Sequence, residues 1–263
     1  MSIEAMSIEA WRRHDWQLIH GGPQSPALHM ALDEVLTAEV AAGRRPPTLR
    51  VWEWASPAVV IGRFQSLRNE VDPEGAARHG IEVVRRISGG GAMFIEPGNT
   101  ITYSICAPQE LVAGLSFQDA YELMDRWVIA ALAGLGIDAS YQPLNDITSP
   151  AGKIAGAAQA RRGGAVLHHV TMAYDIDAAK MLEVLRIGRE KLSDKATQSA
   201  NKRVDPLRSQ TGLPRAAVIE RMIGSFRDMY GLSDDHLRPD ELGRATQLAA
   251  EKFSSAEWTG VVP

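Results

Sequence analysis

A single cysteine, Cys106, occurs among the 263 residues of the chain. One thiol cannot form an intramolecular disulfide, which excludes a disulfide-stapled fold and is typical of proteins in a reducing compartment. No apolar run approaches the roughly 20 residues that a membrane-spanning helix needs, and the N-terminal MSIEAMSIEA lacks the basic and apolar segments of a signal peptide. We therefore expect a soluble, cytoplasmic protein that has no membrane partner.

An excess of positive charge is also absent, since the formal net charge is −4 at pH 7. A chain of this charge has no general attraction for nucleic acid, so any phosphate must be recognised locally. Hydrophobic residues make up 45% of the chain, which is enough to fill a core. Because MSIEA is duplicated at the start, we expect residues 1–15 to form an N-terminal extension and residues 16–263 to form a single domain.

Helix and strand patterns indicate the fold class. Ser25 and Pro26 begin an amphipathic helical pattern that Gly43 ends, and a second helical pattern follows Ser116. The strand patterns are TLRVWEW, AVVIG, IEVVRR, TITYSICA and the two flanks of an RRGG turn. Since the connections between strands are often too short for parallel crossovers, we predict an α+β fold with a central mixed, mainly antiparallel sheet flanked by helices. The polar segment 188–212 is predicted to be a mobile loop.

The segment RRISGGGAMFIEPGNT, residues 85–100, carries three consecutive glycines after a predicted strand. Glycine packs poorly in a strand, so a run of three indicates a place where bare backbone approaches another group. Main-chain N–H groups there could bind an anion or a planar ligand, with Arg85 or Arg86 adding a charge-assisted contact. The segment matches neither the P-loop nor the dinucleotide-binding pattern, and a flexible hairpin tip explains the glycines equally well.

A second candidate, LNDITSPAGKIAGAAQ, combines Asn145, Asp146 and Lys153. An aspartate can bind hydrated Mg²⁺ or accept hydrogen bonds, and a lysine presents a compact positive charge to developing phosphate charge. This combination suits phosphoryl or adenylyl transfer. A solvated ion pair on a loop is the simpler alternative for the same residues.

The adjacent His168 and His169 point to opposite faces of a predicted strand, so at most one of them faces a given pocket. Without a further regularly spaced ligand they do not indicate zinc, and we reject a catalytic metal-ligand set built on them. Cys106 lies on another predicted strand with no histidine beside it in the sequence. This position favours a buried core residue over a nucleophile.

Taken in order, these motifs resemble the lipoate–protein ligase A family within the biotin/lipoate ligase superfamily. The resemblance rests on RRISGGGAMF followed by PGNT, on LND before GKIAGAAQARRGG, and on LHHVTM leading to YDID. It extends from the helix near residue 28 to KFSSAEWT, residues 252–259, and so covers most of the chain. Each motif alone is weak, whereas four in the family's order are specific to the superfamily.

The resemblance implies that residues 16–263 form a catalytic domain that holds an acyl-adenylate. In such ligases lipoate reacts with ATP and Mg²⁺ to give lipoyl-AMP and pyrophosphate, and a lysine of a lipoyl carrier domain then attacks the mixed anhydride. The carriers are the acyltransferase component of 2-oxoacid dehydrogenases, the H protein of glycine cleavage or similar proteins. Lys153 would be the catalytic residue, because its charge would stabilise the acyl and phosphate oxygens. Asp146 would orient the phosphate or bind Mg²⁺.

The same resemblance assigns the residues that would bind the substrate and the adenylate. Bare main chain at the glycines would border the ligand, with an arginine and a serine at its phosphate or carboxylate region. An asparagine would shape the nucleotide side, and a histidine would line the pocket. The predicted set is Arg86, Ser88, Gly89, Gly90, Gly91, Ala92, Asn99, Asn145, Asp146, Gly156, Ala157 and His169.

Two departures from the family pattern bear on these expectations. Members often have Tyr-His-Asp after the glycines, whereas this chain has Phe94, Ile95 and Glu96, which leaves the nucleotide placement there open. Many bacterial ligases also carry a C-terminal accessory domain tied to adenylate formation, which has no counterpart after EWTGVVP. We therefore expect either a separate accessory subunit or transfer from a preformed adenylate.

Three other functions stay open at this point. An octanoyltransferase or lipoyl amidotransferase would move the acyl group through a cysteine thioester, but residues 141–172, where those enzymes carry the cysteine, contain none. A non-catalytic lipoyl-adenylate-binding protein fits the missing accessory domain but not the retained Asp146 and Lys153. A biotin ligase is disfavoured, because its glycine segment has a different arginine-rich pattern.

Overall fold

A large sheet forms the centre of the computed structural model, which describes residues 3–186 and 204–263. Its strands are β1 (Gln17–His20), β2 (Thr48–Trp52), β6 (Thr100–Pro108), β7 (Ser140–Gln142), β8 (Asp146–Ser149), β9 (Gly152–Arg162), β10 (Ala165–Ala173) and β11 (Ser233–Asp235). Their order across the sheet is β11-β1-β2-β6-β10-β9-β8-β7. Because β1 is parallel to β2 and β11 while the other pairs are antiparallel, the predicted mixed, mainly antiparallel sheet and the α+β class are confirmed.

Some helices cover the two faces of this sheet, and others pack against a third apolar cluster away from it. They are α1 (Ile3–Arg12), α2 (Pro26–Ala41), α3 (Leu67–Glu70), α4 (Pro73–Arg78), α5 (Phe117–Gly134), α6 (Ala178–Val184), α7 (Leu207–Thr211), α8 (Arg215–Tyr230), α9 (Pro239–Leu248) and α10 (Ala256–Thr259). The predicted N-caps are confirmed, since the Ser25 and Ser116 side chains accept hydrogen bonds from the main-chain N–H groups of Leu28 and Asp119. One core lies under α5 and α8, and a second lies under α2.

A second, smaller sheet was not predicted as a separate element. It consists of β3 (Ala58–Ile61), β4 (Glu82–Arg85) and β5 (Met93–Ile95) in the order β4-β3-β5. Val60 and Val84 share the core under α2 with Leu167 of the large sheet. The glycine segment connects β4 to β5, so it lies where the two sheets meet around α2.

The RRGG motif forms the predicted hairpin turn between β9 and β10. Gly163 and Gly164 both have positive φ, at 59° and 93°, and Arg162 pairs with Ala165 across the turn. Two consecutive residues with positive φ match the twist of the flanking strands in a two-residue hairpin, which explains why both are glycine. The turn fixes the register of β9 against β10 and with it the position of the lysine segment.

Two segments have contacts or structure that the sequence did not indicate. Trp11, within the expected extension 1–15, is buried against Trp16 and Phe226, so this part of the segment packs into the core. The predicted loop 188–212 includes helix α7, while its residues 188–203 lie outside the described residues. Within the described ranges, no helix combines the length and apolarity that crossing a bilayer would require.

Candidate active site

The register of the large sheet places several predicted residues on one face. Residues directly opposite each other on neighbouring strands project to the same side. One row across the sheet consists of Trp52, Thr102, Thr171, Gly156 and Asp146, and the next row consists of Arg50, Ser104, His169 and Ala158. Asp146, Gly156 and His169 therefore belong to the same face, which is the one covered by α2.

A β-bulge in β9 turns Lys153 onto this face as well. Ala155 pairs with Ile147 while Lys153 pairs with Thr148, which leaves Ile154 as an extra residue in β9. An extra residue shifts the alternation of side chains by one position. Lys153 thereby faces the same side as Gly156, although the two lie three positions apart and would face opposite sides of a regular strand.

Lys153 and Asp146 form an ion pair at this position. Lys153 Nζ lies 2.7 Å from Asp146 Oδ1, and the aspartate is nearly buried while the lysine keeps 25% of its side chain exposed. A Cβ on Gly156 would lie 3.4 Å from Nζ, so the glycine leaves room for the amine. The structure thus brings the predicted Lys153, Asp146 and Gly156 together, with the ammonium group reachable from solvent.

The glycine segment lies against the same face. Gly90 has φ +92°, and a Cβ there would lie 3.8 Å from Ala158 Cβ and 3.9 Å from Asn145 Nδ2. Asn145 in turn donates a hydrogen bond from Nδ2 to the Ala157 carbonyl at 2.5 Å. A free hairpin tip would make no such contacts, so the segment is a bare-backbone surface held beside Asn145, the residue that precedes Asp146.

Arg86 holds this segment from inside the protein. Its guanidinium is buried and donates hydrogen bonds to the carbonyls of Gly89 and Gly91 and to Ser88 Oγ. Burial lowers the pKa of Arg86 to about 10, which still leaves it charged at neutral pH. Arg86 therefore stabilises the loop, and its predicted contact with a ligand phosphate or carboxylate stays a prediction.

Asn99 and Ala92 have contacts of their own. Asn99 Nδ2 donates to Glu96 Oε2 at 3.1 Å, and Glu96 pairs with Lys180 of α6 at 2.5 Å. Ala92 packs against the apolar cluster under the small sheet. Glu96, which replaces a family residue, thus ties Asn99 and α6 together. The predicted role of Asn99 on the nucleotide side stays a prediction.

The two histidines lie on opposite faces of β10, as the alternation indicates. His168 Nε2 lies 2.7 Å from Asp125 Oδ1 under α5, and both side chains are fully buried. His169 faces α2, where Nδ1 lies 2.7 Å from Asp33 Oδ2 and Nε2 lies 2.6 Å from Ser88 Oγ. Sequence reasoning missed Asp33, and an acidic residue amid the apolar positions of an amphipathic helix was the available signal.

Cys106 occupies the same face of the sheet but is closed off by α2. Its side chain is 1% exposed, and its Sγ lies 3.5 Å from the Thr37 hydroxyl. Burial raises the pKa of the Cys106 thiol to about 12. A thiol of this kind stays protonated at neutral pH and is a poor nucleophile.

The described residues contain no group of three or more His, Cys, Asp or Glu side chains that could hold a metal ion. Asp146, the predicted Mg²⁺ ligand, places one oxygen on the Lys153 ammonium. One carboxylate paired with an amine does not make a metal site by itself. Mg²⁺ characteristically uses one or two protein carboxylates together with substrate phosphates, and Asp146 can serve in that way.

Comparisons with known proteins agree with this architecture. An octanoyltransferase LipM from Kyrpidia tusciae is 29% identical over 271 residues, which cover 92% of this chain and 97% of the relative. A bipartite lipoate protein ligase from Thermoplasma acidophilum, studied with its E2 lipoyl domain, is 27% identical with a TM-score of 0.81 and coverages of 95% and 97%. A lipoate-protein ligase A bound with ATP is 25% identical with a TM-score of 0.81, covering 95% of this chain and 100% of that one.

The family assignment rests on the extent of the match as well as on the fold. Residues 25–227 match the family model described as the lipoyl protein ligase A/B catalytic domain. This range contains the glycine segment, the Lys153–Asp146 pair and both histidines of β10. The chain therefore belongs to the lipoyl protein ligase A/B family, whose members compared above are lipoate ligases and an octanoyltransferase.

Proposed function

We propose that the chain is a lipoate–protein ligase that forms lipoyl-AMP from lipoate and ATP and transfers the lipoyl group to a lysine of a lipoyl carrier domain. The observation that carries this proposal is the Lys153–Asp146 pair, which shares one face of the sheet with the glycine segment. An amine held by a carboxylate is preorganised to stabilise charge that develops on acyl and phosphate oxygens. The similar ATP-bound ligase supports the use of ATP.

The other site residues have definite roles in this proposal. The main chain of the glycine segment borders the anhydride, and Arg86 keeps that main chain in place. Asp146 orients Lys153 and supplies a carboxylate for Mg²⁺ that arrives with the phosphates of ATP. ATP activates the lipoate carboxyl group, and the carrier lysine attacks the acyl carbon directly. No side-chain nucleophile is required.

Octanoyl or lipoyl transfer without ATP is the second candidate, favoured by the octanoyltransferase relatives. Transfer through an enzyme thioester requires a reactive thiolate. The chain has one cysteine, and its thiol is buried beside Thr37 with a raised pKa. The buried thiol therefore favours the ligase over a thioester-forming transferase.

Cys106→Ser is expected to leave the rate of carrier modification within about two-fold of the wild-type rate, because a residue whose only role is packing does not enter the chemistry. The serine hydroxyl can keep the contact with Thr37, so the fold should survive. The measurement is modification of the apo-carrier by mass spectrometry, with the melting temperature as a control for folding. Loss of modification in a folded variant would favour the thioester route.

The function itself is tested by supplying a purified apo-lipoyl domain with lipoate and MgATP, with synthetic lipoyl-AMP, or with an octanoylated carrier protein. Modification with lipoate and MgATP supports the complete ligase. Modification only with lipoyl-AMP points to a separate accessory subunit, and the similar ligase from Thermoplasma acidophilum is bipartite. Transfer only from the octanoylated carrier would contradict the ligase proposal. Adenylate binding without any transfer would indicate a non-catalytic binding protein.

A further inference from the structure

A chain of hydrogen bonds runs from the glycine segment across the large sheet into α2. Ser88 Oγ lies 2.6 Å from His169 Nε2, and His169 Nδ1 lies 2.7 Å from Asp33 Oδ2. The other Asp33 oxygen accepts a hydrogen bond from Arg50 Nη2 at 2.6 Å. Ser88, His169 and Asp33 are each no more than 5% exposed. A serine, histidine and aspartate in this order form a general acid–base unit, whatever fold carries them.

The surrounding charges determine which group donates and which accepts in each of these hydrogen bonds. Burial would raise the pKa of Asp33, but the charge of Arg50 and the hydrogen bond from His169 hold it below its ordinary value. An ionised carboxylate only accepts hydrogen bonds, so His169 carries its proton on Nδ1. Nε2 is then an acceptor, and Ser88 donates its proton to it. The Ser88 oxygen already accepts from Arg86 Nε at 3.1 Å.

The groups that face His169 leave its imidazole neutral. Burial, Arg86 and the neighbouring His168 lower the pKa of His169, while Asp33 opposes them through its hydrogen bond and charge. A neutral imidazole can accept a proton at physiological pH. Asp33 is the group that stabilises the imidazolium once the proton has arrived.

We propose that Ser88, His169 and Asp33 form a proton relay for the step in which the carrier lysine attacks the acyl-adenylate, an inference that rests on the function proposed above. The lysine nitrogen forms a bond to the acyl carbon and becomes cationic. The bond between that carbon and the phosphate oxygen breaks, and its electron pair leaves with AMP. The nitrogen gives its proton to Ser88 Oγ while the original Ser88 proton moves to His169 Nε2. In this relay Ser88 would be the member that takes the proton from the nitrogen, and His169 and Asp33 would act through it as positioning residues.

Asp33→Asn tests the relay, and Asp125→Asn is its matched control. Both aspartates are buried and lie 2.7 Å from a histidine of β10, but Asp125 contacts His168 on the opposite face. An asparagine at 33 can donate to Nδ1 and so favours the wrong tautomer. We expect Asp33→Asn to slow transfer from synthetic lipoyl-AMP by about 10²-fold, the usual loss for a general base. Asp125→Asn should retain transfer.

Three further measurements separate a relay from a merely structural role. Binding of a non-reactive lipoyl-adenylate analogue should not change in Asp33→Asn, and ¹⁵N chemical shifts should show the His169 proton leaving Nδ1. Asp33 raises the pKa of His169, so Asp33→Asn should lower that pKa. The fall of the transfer rate at acid pH should then occur at a lower pH in Asp33→Asn than in the wild-type protein. Ser88→Ala should be as slow as the double variant Ser88→Ala/Asp33→Asn, since the effects of residues that act in one path are not additive. Ser88→Ala also tests the step if Asp33→Asn does not fold.

The outcomes are distinguishable. Wild-type transfer rates in Asp33→Asn, equal losses in Asp33→Asn and Asp125→Asn, or additive losses in the double variant would overturn the relay. A stable acyl group on Ser88, found by mass spectrometry, would also overturn it, because the serine would then be a nucleophile. If the wild-type protein itself fails to transfer from lipoyl-AMP, the proposed function is wrong.

Discussion

Lys153→Ala is expected to abolish lipoyl transfer, both from lipoate with MgATP and from synthetic lipoyl-AMP. Removing a single preorganised donor from a site that stabilises an oxyanion typically costs about 10²–10³-fold in rate, and a full charge in this position should reach or exceed that range. Lys153 Nζ lies 2.7 Å from Asp146 Oδ1, and the lysine side chain is partly exposed. The amine can therefore contact both the acyl and the phosphate oxygens of a bound adenylate. Single-turnover transfer from lipoyl-AMP measures the effect.

Lys252→Ala is a matched control for this prediction. Lys252 also pairs with a carboxylate, Glu34, and its side chain is 22% exposed, close to the 25% of Lys153. Its ammonium lies over the Trp258 ring, 4.2 Å from the ring centroid, and its carboxylate partner belongs to α2 rather than to β8. Lys252→Ala should therefore transfer at the wild-type rate. Near-normal transfer by a folded Lys153→Ala would contradict the role assigned to the lysine.

The sequence was sufficient for the elements whose signals are local. The Ser25 and Ser116 caps, the Gly163–Gly164 turn and the alternation in TITYSICA each depend on a few neighbouring residues. The Lys153–Asp146 pair could also be predicted from the sequence, because both residues belong to one short motif. Such features follow from backbone preferences and hydrogen bonding over four to ten residues, which an isolated sequence contains.

Features that depend on distant segments were not predictable in the same way. Asp33 is hydrogen-bonded to His169, which lies 136 positions away in the sequence, and the residues around Asp33 do not indicate this partner. The bulge at Ile154 became visible only through the pairing with β8, since GKIAGAAQ has no turn signal. The small sheet was missed because an apolar run such as AVVIG indicates a buried strand without saying which sheet it joins.

Gly62 is the clearest case of a residue whose importance depends on a distant contact. A Cβ on Gly62 would overlap the Gly90 carbonyl oxygen and lie 3.2 Å from the Gly89 carbonyl carbon. These are backbone atoms, which cannot rotate away as the end of a flexible side chain can. The neighbouring Arg63 N–H donates to the Ser88 carbonyl at 2.8 Å, which keeps the two loops in contact. The segment after β3 therefore acts as a support for the glycine segment.

Gly62→Ala is expected to slow both adenylate formation and transfer by about 10³-fold, because pushing the glycine segment away misplaces several main-chain donors at once. Gly243→Ala in α9 is the matched control, since a Cβ there meets nothing within 4 Å. That variant should keep full activity and gain about 0.5–1 kcal/mol of stability from the helical alanine. The measurements are both half-reactions at 25 °C and thermal unfolding. A folded Gly62→Ala with wild-type rates would show that the position of the glycine segment does not matter, and the anhydride would then have to bind elsewhere.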